Sequence, residues 1–536
     1  MDEHMVDSFD VLVMGNSIAG SLMAAYVKQE QPRLRVGLLG PTSQKQPVVG
    51  ESLIEMSTQM LMRLGLGGYL EEEQFHKYGL TFYFKKNIDD PSCRRYFVHE
   101  GPAGPPLPSF QLNRVRLKKR LDRLTQDLGV VPIVGKAQRV DVQSPSGFVV
   151  GTAGGTRRLR ARYVVDATGR RRLLARQWGY AVPAPMQRSA FWFRLEGFDR
   201  HFLRHIEAIK RPQYHADSYF CTHHFMGRGK WVWCIPLKQS SGAPCLMSVG
   251  LTWRPDLVEG TVHSPEDFLA AVGPEHPVVC DLVRSGHVVD TCSYDDYMVD
   301  VRNVYSRVGW FILGDAGKSV DPLYSTGLAF TAAQIQQIEA MIANGERCGA
   351  IDPDFVAACE GCHQALFRIF QESISHQYVS MHHPYPCSWT MHLLTLSYFY
   401  GVLPLWLAGY HTDPMGARLM TGMMTQGRRD MASLVALVDR AHHRLGLAAT
   451  QGLGNRYDES VNWELWGPCE EDIPRHLTRM LSSLVRYRLR LLKDAGFAGW
   501  PSHARIMLAD GLKYAFFRTL HGRRLRDIPW VRYALT

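Results

Sequence analysis

Residues 311–328 read F-I-L-G-D-A-G-K-S-V-D-P-L-Y-S-T-G-L, and this stretch says most about the fold. An apolar strand leads directly into a Gly-Asp turn at Gly314 and Asp315, and then into a helix start made of small residues. The Asp315 carboxylate can accept hydrogen bonds from a ribityl chain. Free backbone N–H groups of a helix that begins near Thr326 and Gly327 can face an anion or a flavin ring. The segment therefore suits a flavin, although an ordinary turn between a strand and a helix stays open when it is taken alone.

A second segment near the start of the chain has the order that a dinucleotide pyrophosphate requires. Residues 10–20 read D-V-L-V-M-G-N-S-I-A-G, a short apolar run followed by a degenerate G-x-G-x-x-G in which Ser17 replaces the middle glycine. We expect Gly15 to make the turn and Gly20 to allow close packing of helix on strand. The residues between them that would border the cofactor are Ser17, Ile18 and Ala19.

The next predicted strand, residues 34–39, lacks the acid that usually binds the adenosine ribose, because Gly40 and Pro41 follow it. A third segment, residues 162–176, reads R-Y-V-V-D-A-T-G-R-R-R-L-L-A-R. Its core resembles the second flavin fingerprint of the FAD monooxygenase fold, which assigns Asp166, Ala167 and Gly169 to the cofactor. The three segments occur in the expected order and spacing, so the sequence predicts FAD binding.

Four further segments resemble flavin-dependent halogenases and span, with the others, roughly residues 10–333. V-V-G-E-S-L at 48–53 resembles the segment that lies along the flavin ring in that family, and residues 111–114 resemble its arginine segment. K-W-V-W-C-I-P at 230–236 is similar to the signature F-W-x-W-x-I-P, with Lys230 in place of the first aromatic residue. H-K-Y-G-L-T-F-Y-F at 76–84 places a lysine where the family has its catalytic lysine. This resemblance assigns Lys77 to catalysis. It assigns Gly50, Glu51, Ser52 and Arg114 to FAD binding, and Trp231, Trp233 and Pro236 to the wall between flavin and substrate.

The resemblance implies a reaction of FADH2 with O2 through a C4a-hydroperoxyflavin. Chloride or bromide bound at Thr326 and Gly327 would be oxidised to hypohalous acid, and Lys77 would direct the halogen, by a hydrogen bond or as a chloramine, to one carbon of the substrate. The protein would position and contain the reactants while the cofactor supplies the difficult step.

Plainer structural interpretations exist for the same residues. Trp231 and Trp233 alternate as core residues of a strand do, and a lone lysine is usually a solvated surface charge. Lys77 differs from Lys85 and Lys86 because the apolar alternation after it, with Phe82 and Phe84, predicts a strand that enters a core.

Tyr324 indicates the substrate class. Tryptophan halogenases have a glutamate in the segment that matches residues 322–327, whereas this chain has P-L-Y-S-T-G. The resemblance therefore favours the phenol and pyrrole branch, in particular the pyrrolnitrin-type pyrrole halogenases of antibiotic biosynthesis, whose ring heteroatom stabilises the positive charge without an acid. The substrate would be a small aromatic compound, free or bound to a carrier protein.

Composition fits a large soluble enzyme of the cytoplasm. The chain has 536 residues, is 46% hydrophobic and has a formal net charge of +10. Its eleven cysteines show no framework spacing, as in reduced thiols, and no export signal is recognised at the N-terminus. The positive charge suits anionic FAD or an acidic carrier protein. No base-stacking motif points to nucleic acid.

We predict an α/β protein in which a Rossmann-like FAD-binding domain of the flavin monooxygenase fold is interrupted by a β-sheet and followed by helices. The FAD-binding domain would comprise residues 1–184 and 285–345, the substrate-binding sheet residues 185–284, and the helical C-terminal region residues 346–536. The run 101–108 would be a loop that could cover the flavin.

Two stretches resemble features of other protein classes, namely a haem or metal site and a membrane span. C-E-G-C-H at 359–363 matches a haem c attachment pattern but lies in a predicted helix, and a single C-x-x-C makes zinc unlikely, so no metal is predicted. Residues 387–409 contain no charged side chain over a length that could span a bilayer. The histidine and proline inside this stretch favour instead a buried helix pair over the substrate pocket, with membrane association unlikely.

Three functions follow from these features. The leading one is a two-component halogenase supplied with FADH2 by a flavin reductase, since no separate nicotinamide fingerprint is found. The runner-up is an FAD-dependent monooxygenase that hydroxylates or epoxidises a hydrophobic small molecule. A flavin-bearing binding protein tethered by residues 387–409 is the non-enzymatic alternative.

Overall fold

The computed structural model describes residues 7–41, 49–100, 107–143, 147–153, 157–208, 218–240, 243–446, 461, 463–497 and 499–528. The strands, in chain order, are β1 (Asp7–Met14), β2 (Val36–Gly40), β3 (Phe75–His76), β4 (Leu80–Lys85), β5 (Arg95–Glu100), β6 (Phe110–Gln111), β7 (Val131–Val134), β8 (Ala137–Val142), β9 (Phe148–Thr152), β10 (Arg158–Asp166), β11 (Ala181–Val182), β12 (Ser189–Glu196), β13 (Glu207–Ala208), β14 (Thr222–Gly227), β15 (Lys230–Leu237), β16 (Leu246–Trp253), β17 (His287–Tyr294), β18 (Asp300–Val301) and β19 (Trp310–Ile312). The α-helices are α1 (Ile18–Glu30), α2 (Glu55–Arg63), α3 (Gly67–Glu73), α4 (Arg114–Asp127), α5 (Leu173–Gln177), α6 (Pro265–Val272), α7 (Pro277–Arg284), α8 (Gly327–Cys348), α9 (Pro353–Ser380), α10 (Pro384–Ser397), α11 (Leu403–Leu407), α12 (Pro414–Leu445), α13 (Ile473–Asp494) and α14 (Trp500–Thr519).

The first sheet has the strand order β7-β2-β1-β10-β9-β8, with β19 also paired to β10. Strands β1, β2, β7, β10 and β19 run parallel to their neighbours in this group, and β8 and β9 form an antiparallel extension. The central strands are almost continuously apolar, as expected of parallel strands that are covered on both faces. Helices α1 and α8 supply part of that cover and share one hydrophobic core with the sheet. The predicted Rossmann-like arrangement is confirmed.

The second sheet is the larger one, with the order β13-β5-β4-β14-β15-β16-β12-β17. Its central pairs are antiparallel, except for the parallel pair β4 and β14. One face packs against α6 and α7 in a separate hydrophobic core. The other face bears Trp231, Trp233 and Phe82, together with Tyr378 of α9. This face is directed toward the candidate site.

The predicted limits of the substrate sheet, residues 185–284, do not match the strands observed. Strands β4 and β5 come from the N-terminal part of the chain, and β17 follows residue 284, yet all three belong to the eight-stranded sheet. The reason is that β4 pairs in parallel with β14, a long-range contact that no local pattern reveals. Helix α8 likewise continues past residue 345, to Cys348.

The C-terminal region is helical in its described part, as predicted. Helices α9 and α12 pack along each other, and α13 packs on α14. The uncharged stretch 387–409 contains most of α10 and all of α11, which are joined by a π-helical turn, Tyr398–Val402. Single π-helical turns inside α-helices occur often at functional sites.

Cys359 and Cys362 are buried in α9, and the structure separates them from further ligands. Among the described residues, no group of three or more His, Cys, Asp or Glu side chains could bind a metal ion. The search for a membrane span, over the same part of the chain, finds no helix with the length and apolarity required. Residues 101–106 of the predicted loop 101–108 lie outside the described residues.

Candidate active site

The turn after β1 is built as the glycine pattern predicts. Gly15 has a φ of +122°, and a Cβ there would lie 2.1 Å from the carbonyl oxygen of Ala167. A Cβ on Gly20 would lie 1.8 Å from the carbonyl oxygen of Gly15, so α1 can approach the strand only with glycine. Ser17 caps α1 and accepts a hydrogen bond from the Gly20 N–H, at 3.3 Å. The turn therefore brings Gly15, Ile18 and Ala167 to one end of the parallel sheet.

The missing ribose acid at the end of β2 has a steric explanation. A Cβ on Gly40 would lie 2.3 Å from the Cβ of Asn16, so no acidic side chain fits there. The amide oxygen of Asn16 accepts hydrogen bonds from Lys118 Nζ, at 2.9 Å, and from Ser21 Oγ, at 3.2 Å. A polar amide and a lysine of α4 thus lie beside this turn.

Asp166 has a structural task and does not line the cavities. Its carboxylate accepts hydrogen bonds from the backbone N–H of Thr168, at 2.9 Å, from the Thr168 hydroxyl, at 2.6 Å, and from the Leu174 N–H, at 2.7 Å. It therefore fixes the turn through Gly169 and the start of α5. These hydrogen bonds shape the backbone of the third segment, and the assignment of Asp166 to the cofactor stays a prediction.

A cavity of about 280 Å³ lies between the two sheets and the start of α8. It collects side chains that are far apart in the sequence. Among the predicted residues, those that line it are Ala19, Gly50, Glu51, Ser52, Arg114, Trp231, Trp233, Gly314, Asp315 and Gly327. The halogenase-like and the flavin-like segments therefore form one site.

Three charged groups set the electrostatics of this large cavity. Burial raises the pKa of Glu51 to about 7, and Arg114 and Arg194 oppose that rise. Asp315 is accessible from the cavity but enclosed by protein, and burial also raises its pKa against the opposing effect of Arg114 and Arg170. Arg114 donates to the Gly50 carbonyl oxygen at 2.9 Å, while its buried Nε has no partner among the described residues. A partly unused guanidinium and an accessible carboxylate fit the polar parts of a flavin nucleotide.

Strand β15 supplies one wall of the large cavity. Trp231, Trp233 and Ile235 lie on the same face because side chains alternate along a strand, and all three line the cavity. The two indole rings are 5.6 Å apart. Pro236 points to the opposite face, so its predicted place in the wall is wrong. Lys230, the departure from the family signature, is at the far end of β15 and pairs with Glu275 at 3.4 Å.

A smaller cavity of about 110 Å³ contains the predicted catalytic lysine. Lys77 directly follows β3, three residues before β4, is 6% exposed, and donates from Nζ to the Leu53 carbonyl oxygen at 2.5 Å. Burial lowers the pKa of Lys77 to about 8, and the negative charge of Glu55 opposes that change. Lys77 is thus not a solvated surface residue. Its low pKa allows both the ammonium and the amine form near neutral pH.

Thr326, a residue of the predicted halide site, lies in the same cavity as Lys77. It lines the small cavity, whereas its neighbours Ser325 and Gly327 line the large one. The Thr326 hydroxyl is buried and has no hydrogen-bond partner in the described part of the chain. Thr326 is also the residue before α8, whose first N–H groups have no partner within the helix. A hydroxyl without a partner at a helix N-terminus fits an anion.

Tyr324 lines the small cavity, at the position where the tryptophan branch has glutamate. Its hydroxyl and the Gln377 side chain are hydrogen-bonded, with contacts of 2.7 and 2.9 Å. Its ring lies 6.0 Å from that of Phe82. Buried Glu55, which the sequence analysis did not single out, lines the same cavity.

Sequence reasoning also missed a buried network behind the wall of the large cavity. Asp321 accepts hydrogen bonds from Arg188 Nε, at 3.0 Å, and from the Tyr378 hydroxyl, at 2.7 Å. The Tyr378 hydroxyl in turn accepts from the Trp231 indole N–H, at 2.9 Å. Asp321 lies five residues before Thr326 and is visible in the sequence as an acidic residue. Its partners, Arg188 just before β12 and Tyr378 on α9, could not be read from the sequence.

The sequence has relatives among halogenases. Residues 94–358 match the family described as tryptophan halogenase. The flavin-dependent halogenase chlA of Dictyostelium discoideum is 23% identical over 476 residues, which cover 82% of this chain and 78% of the relative. The 1H-pyrrole-2-carbonyl-(peptidyl-carrier protein) chlorinase of Pseudomonas fluorescens is 25% identical over 370 residues, which cover 66% and 77% of the two chains. Monodechloroaminopyrrolnitrin halogenase PrnC, also from Pseudomonas fluorescens, is 22% identical over 401 residues, covering 68% and 67%.

Solved structures share the fold. A variant of the halogenase PltM in complex with FAD superposes with a TM-score of 0.68 at 15% identity, covering 89% of this chain and 96% of the other. The flavin-dependent brominase Bmp2 gives a TM-score of 0.60 at 20% identity, covering 81% and 99%. The predicted fold class and the resemblance are confirmed. The chain is similar in sequence to flavin-dependent halogenases and shares the fold of solved halogenase structures.

Proposed function

We propose that this chain is an FADH2- and O2-dependent halogenase that chlorinates an electron-rich phenol or pyrrole. One observation supports this most strongly. Buried Lys77 lines a small apolar cavity together with Thr326 and Tyr324, beside a larger cavity whose residues fit a flavin. An FAD-dependent monooxygenase would need the large cavity but not a buried lysine beside a potential halide site.

The chemistry that reduced FAD supplies is O2 activation with oxidation of halide to hypohalous acid. The residues proposed to bind FAD are those of the large cavity, with Arg114 and Asp315 as its polar contacts. Thr326 and the first N–H groups of α8 would bind chloride or bromide. Lys77 Nζ would release the Leu53 carbonyl oxygen and hold hypohalous acid next to the ring. Trp231 and Trp233 would keep the substrate away from the flavin.

The size and lining of the small cavity support a small substrate. An apolar cavity of about 150 Å³ in another protein holds benzene, and the present cavity has about 110 Å³. Side chains such as Phe82, Leu80 and Phe399 can contact the faces and edges of one ring. We therefore expect free tryptophan to be a poorer substrate than phenols and pyrroles.

The reaction is tested with purified protein, FAD, an added flavin reductase, NADH, O2 and either chloride or bromide. The substrates are phenol, pyrrole, an arylpyrrole, tryptophan and pyrrole-2-carbonyl bound to a carrier protein, because the relatives named for pyrrole act on carrier-bound rings. Mass spectrometry identifies the products. Halogenated phenol or pyrrole supports the proposal. Hydroxylated products that form without halide would show a monooxygenase instead.

Lys77→Met should abolish halogenation while FADH2 oxidation and release of hypohalous acid continue, because the lysine would act only after halide oxidation. The matched control is Lys85→Met, since Lys85 is also buried on the adjoining strand but lines neither cavity. We expect the control to halogenate at a rate close to that of the unmodified protein. Halogenation by Lys77→Met at that same rate would remove Lys77 from the mechanism.

A further inference from the structure

Glu55 is the second ionisable group beside the predicted substrate position. It is the first residue of α2, is 6% exposed, and lines the small cavity together with Lys77. Its position at the first turn of a helix favours a negative charge, because the N-terminal end of a helix bears a partial positive charge. Glu51, four residues earlier, lines the large cavity instead. The two glutamates of this segment therefore face different chambers.

Tyr398, which also lines the small cavity, is the hydrogen-bond partner of the Glu55 carboxylate. Its hydroxyl accepts a hydrogen bond from the Met56 backbone N–H, at 3.4 Å, and is hydrogen-bonded to Glu55. Tyr398 is the first residue of the π-helical turn between α10 and α11. The irregular turn thus delivers a tyrosine to the start of α2 and fixes the carboxylate next to the cavity.

We propose that Glu55 accepts the proton that the substrate ring loses during halogenation. This inference rests on the proposed function. In the step, the bond between oxygen and halogen breaks as the bond between carbon and halogen forms. The departing hydroxide takes a proton from the Lys77 ammonium and leaves as water. The ring C–H bond then breaks, its electron pair restores aromaticity, and its proton passes to the Glu55 carboxylate.

The atoms and charges of this step balance, and a proton transfer between Glu55 and Lys77 restores both groups. An aromatic C–H compound and one hypohalous acid become the halogenated ring and one water. After the step Lys77 is neutral and Glu55 is protonated, so transfer of one proton from Glu55 to Lys77 restores the starting state. Burial raises the pKa of Glu55 and lowers that of Lys77, which brings the two groups closer in proton affinity. General bases work best when their pKa is near the working pH.

The other polar groups of the cavity are less suited to accept this proton. The titratable and charged groups that face Glu55 are Lys77 and Tyr398. Lys77 supplies a proton to hydroxide in the same step, and burial raises the pKa of Tyr398 far above its usual value. The hydroxyl of Tyr324 is hydrogen-bonded to Gln377, on α9. Glu55 therefore provides the carboxylate that Tyr324 cannot provide.

The test compares Glu55→Gln with the unmodified protein on phenol and pyrrole, each with hydrogen or deuterium on the ring carbons. Taurine, added in reactions without a ring substrate, traps the hypohalous acid. We expect Glu55→Gln to release hypohalous acid at the unmodified rate and to form ring product about 10²-fold more slowly. We also expect a deuterium isotope effect on the product rate that the unmodified protein lacks, because loss of the ring proton becomes limiting. Glu55→Asp should recover part of the rate.

The control is Glu275→Gln, which changes a buried glutamate outside both cavities and should leave the product rate unaltered. A Glu55→Gln variant with the unmodified product rate and no isotope effect overturns the inference. So does a parallel loss of hypohalous acid, product and melting temperature, which would show a structural role. If the unmodified protein releases no hypohalous acid, the proposed function itself fails, and this result is distinct from the others.

Discussion

Thr326 illustrates what a single side chain can reveal about the site. Thr326 is 3% exposed, and its buried hydroxyl lacks a hydrogen-bond partner among the described residues. A buried hydroxyl without a partner costs about 1–3 kcal/mol. A protein can retain such a group when a ligand satisfies it. The halide is the ligand that the position of Thr326, next to α8, suits best.

Thr326→Val removes this hydroxyl at nearly constant shape. We expect the melting temperature to stay equal or rise, and the chloride concentration for half-maximal halogenation to increase about 10- to 150-fold, since one charge-assisted hydrogen bond contributes about 1.5–3 kcal/mol. Titration of chloride against product rate measures the effect. The control is Thr390→Val, whose hydroxyl bonds to the Pro386 carbonyl oxygen away from both cavities. An unchanged chloride dependence in Thr326→Val would contradict the halide site.

Glu51 makes stability depend on pH in an unusual direction. Its pKa in the folded protein is about 7, above the ordinary value of 4.5, because it is buried. Between these two values the folded state binds more protons than the unfolded state, so this group's contribution to stability is complete below pH 4.5 and is lost as the pH rises through 7. Glu51→Gln, without FAD, should therefore be more stable than the unmodified protein at pH 8, by up to about 3 kcal/mol. The difference should vanish near pH 4.5 in urea unfolding experiments, and a constant difference across this range would contradict burial of a charged Glu51.

The burial and orientation of a side chain were predictable where they depend on its neighbours in the sequence. Lys77 was recognised because Phe82 and Phe84 alternate after it, and Trp231 and Trp233 because a strand puts them on one face. Pro236 failed by the same alternation, since it follows Trp233 by an odd number of residues. The setting of Glu55 was not predictable, because its partner Tyr398 comes from a helix more than 300 residues later. Asp166 was assigned to the cofactor by the resemblance, and its hydrogen bonds within its own turn were not foreseen.

At the scale of elements, Asp321 ties together three parts of the fold. It receives hydrogen bonds from Arg188, just before β12, and from Tyr378 of α9, and the latter also holds Trp231 of β15. Arg188 and Asp321 are 0% and 1% exposed, so their pairing is fully buried. Removal of one member of such a pair is strongly destabilising, because an uncompensated charge remains. The network therefore fixes the turn before Thr326 relative to the indole wall.

Tyr378→Phe tests whether this network couples the turn to the wall. The change removes the hydroxyl between Asp321 and Trp231 and should destabilise the protein by about 1–3 kcal/mol. In a double-mutant cycle with Trp231→Phe, we expect the two losses to be non-additive by about 0.5–3 kcal/mol, since the residues share one hydrogen bond. Urea unfolding of the four proteins gives the coupling energy. Strict additivity would show that the contact contributes nothing to the position of Trp231.

Local patterns predicted the elements better than their pairing. The strand, turn and helix of residues 7–30 and the long helix around residues 354–376 follow from apolar periodicity and glycine positions. The π-helical turn at Tyr398–Val402 did not, because no residue type specifies it. Strand β4 was expected, but its place beside β14 depends on contacts across 140 residues of sequence.

At the scale of the whole molecule, the small cavity belongs to no single domain. The N-terminal part supplies Lys77 and Phe82, the turn before α8 supplies Thr326, and the C-terminal helices supply Leu394 and Phe399. Residues 94–358 match the halogenase family, so both Lys77 and the helical wall lie outside the matched segment. The predicted flavin segments 10–20 and 48–53 lie outside it as well, so the matched segment covers neither site completely.

Leu394→Ala should change substrate size without changing the flavin chemistry. Leu394 lines the small cavity from α10, and its truncation enlarges a pocket of about 110 Å³ that fits about one ring. We expect the ratio of halogenated tryptophan to halogenated phenol to rise, while the rate of FADH2 oxidation stays the same. Both substrates are supplied at equal concentration and the products are quantified by mass spectrometry. A rise in this ratio would show that the size of the pocket, rather than the lack of a carboxylate at position 324, limits the halogenation of tryptophan.

The matched control is Leu396→Ala, on the same helix and equally buried but outside both cavities. Each truncation should cost about 2–5 kcal/mol of folding stability, so a general loosening of the fold would affect both variants alike. Only Leu394→Ala should alter the product ratio. If both variants shift it equally, the helical region acts through overall stability, and if neither shifts it, substrate selection depends on residues of the N-terminal part such as Phe82.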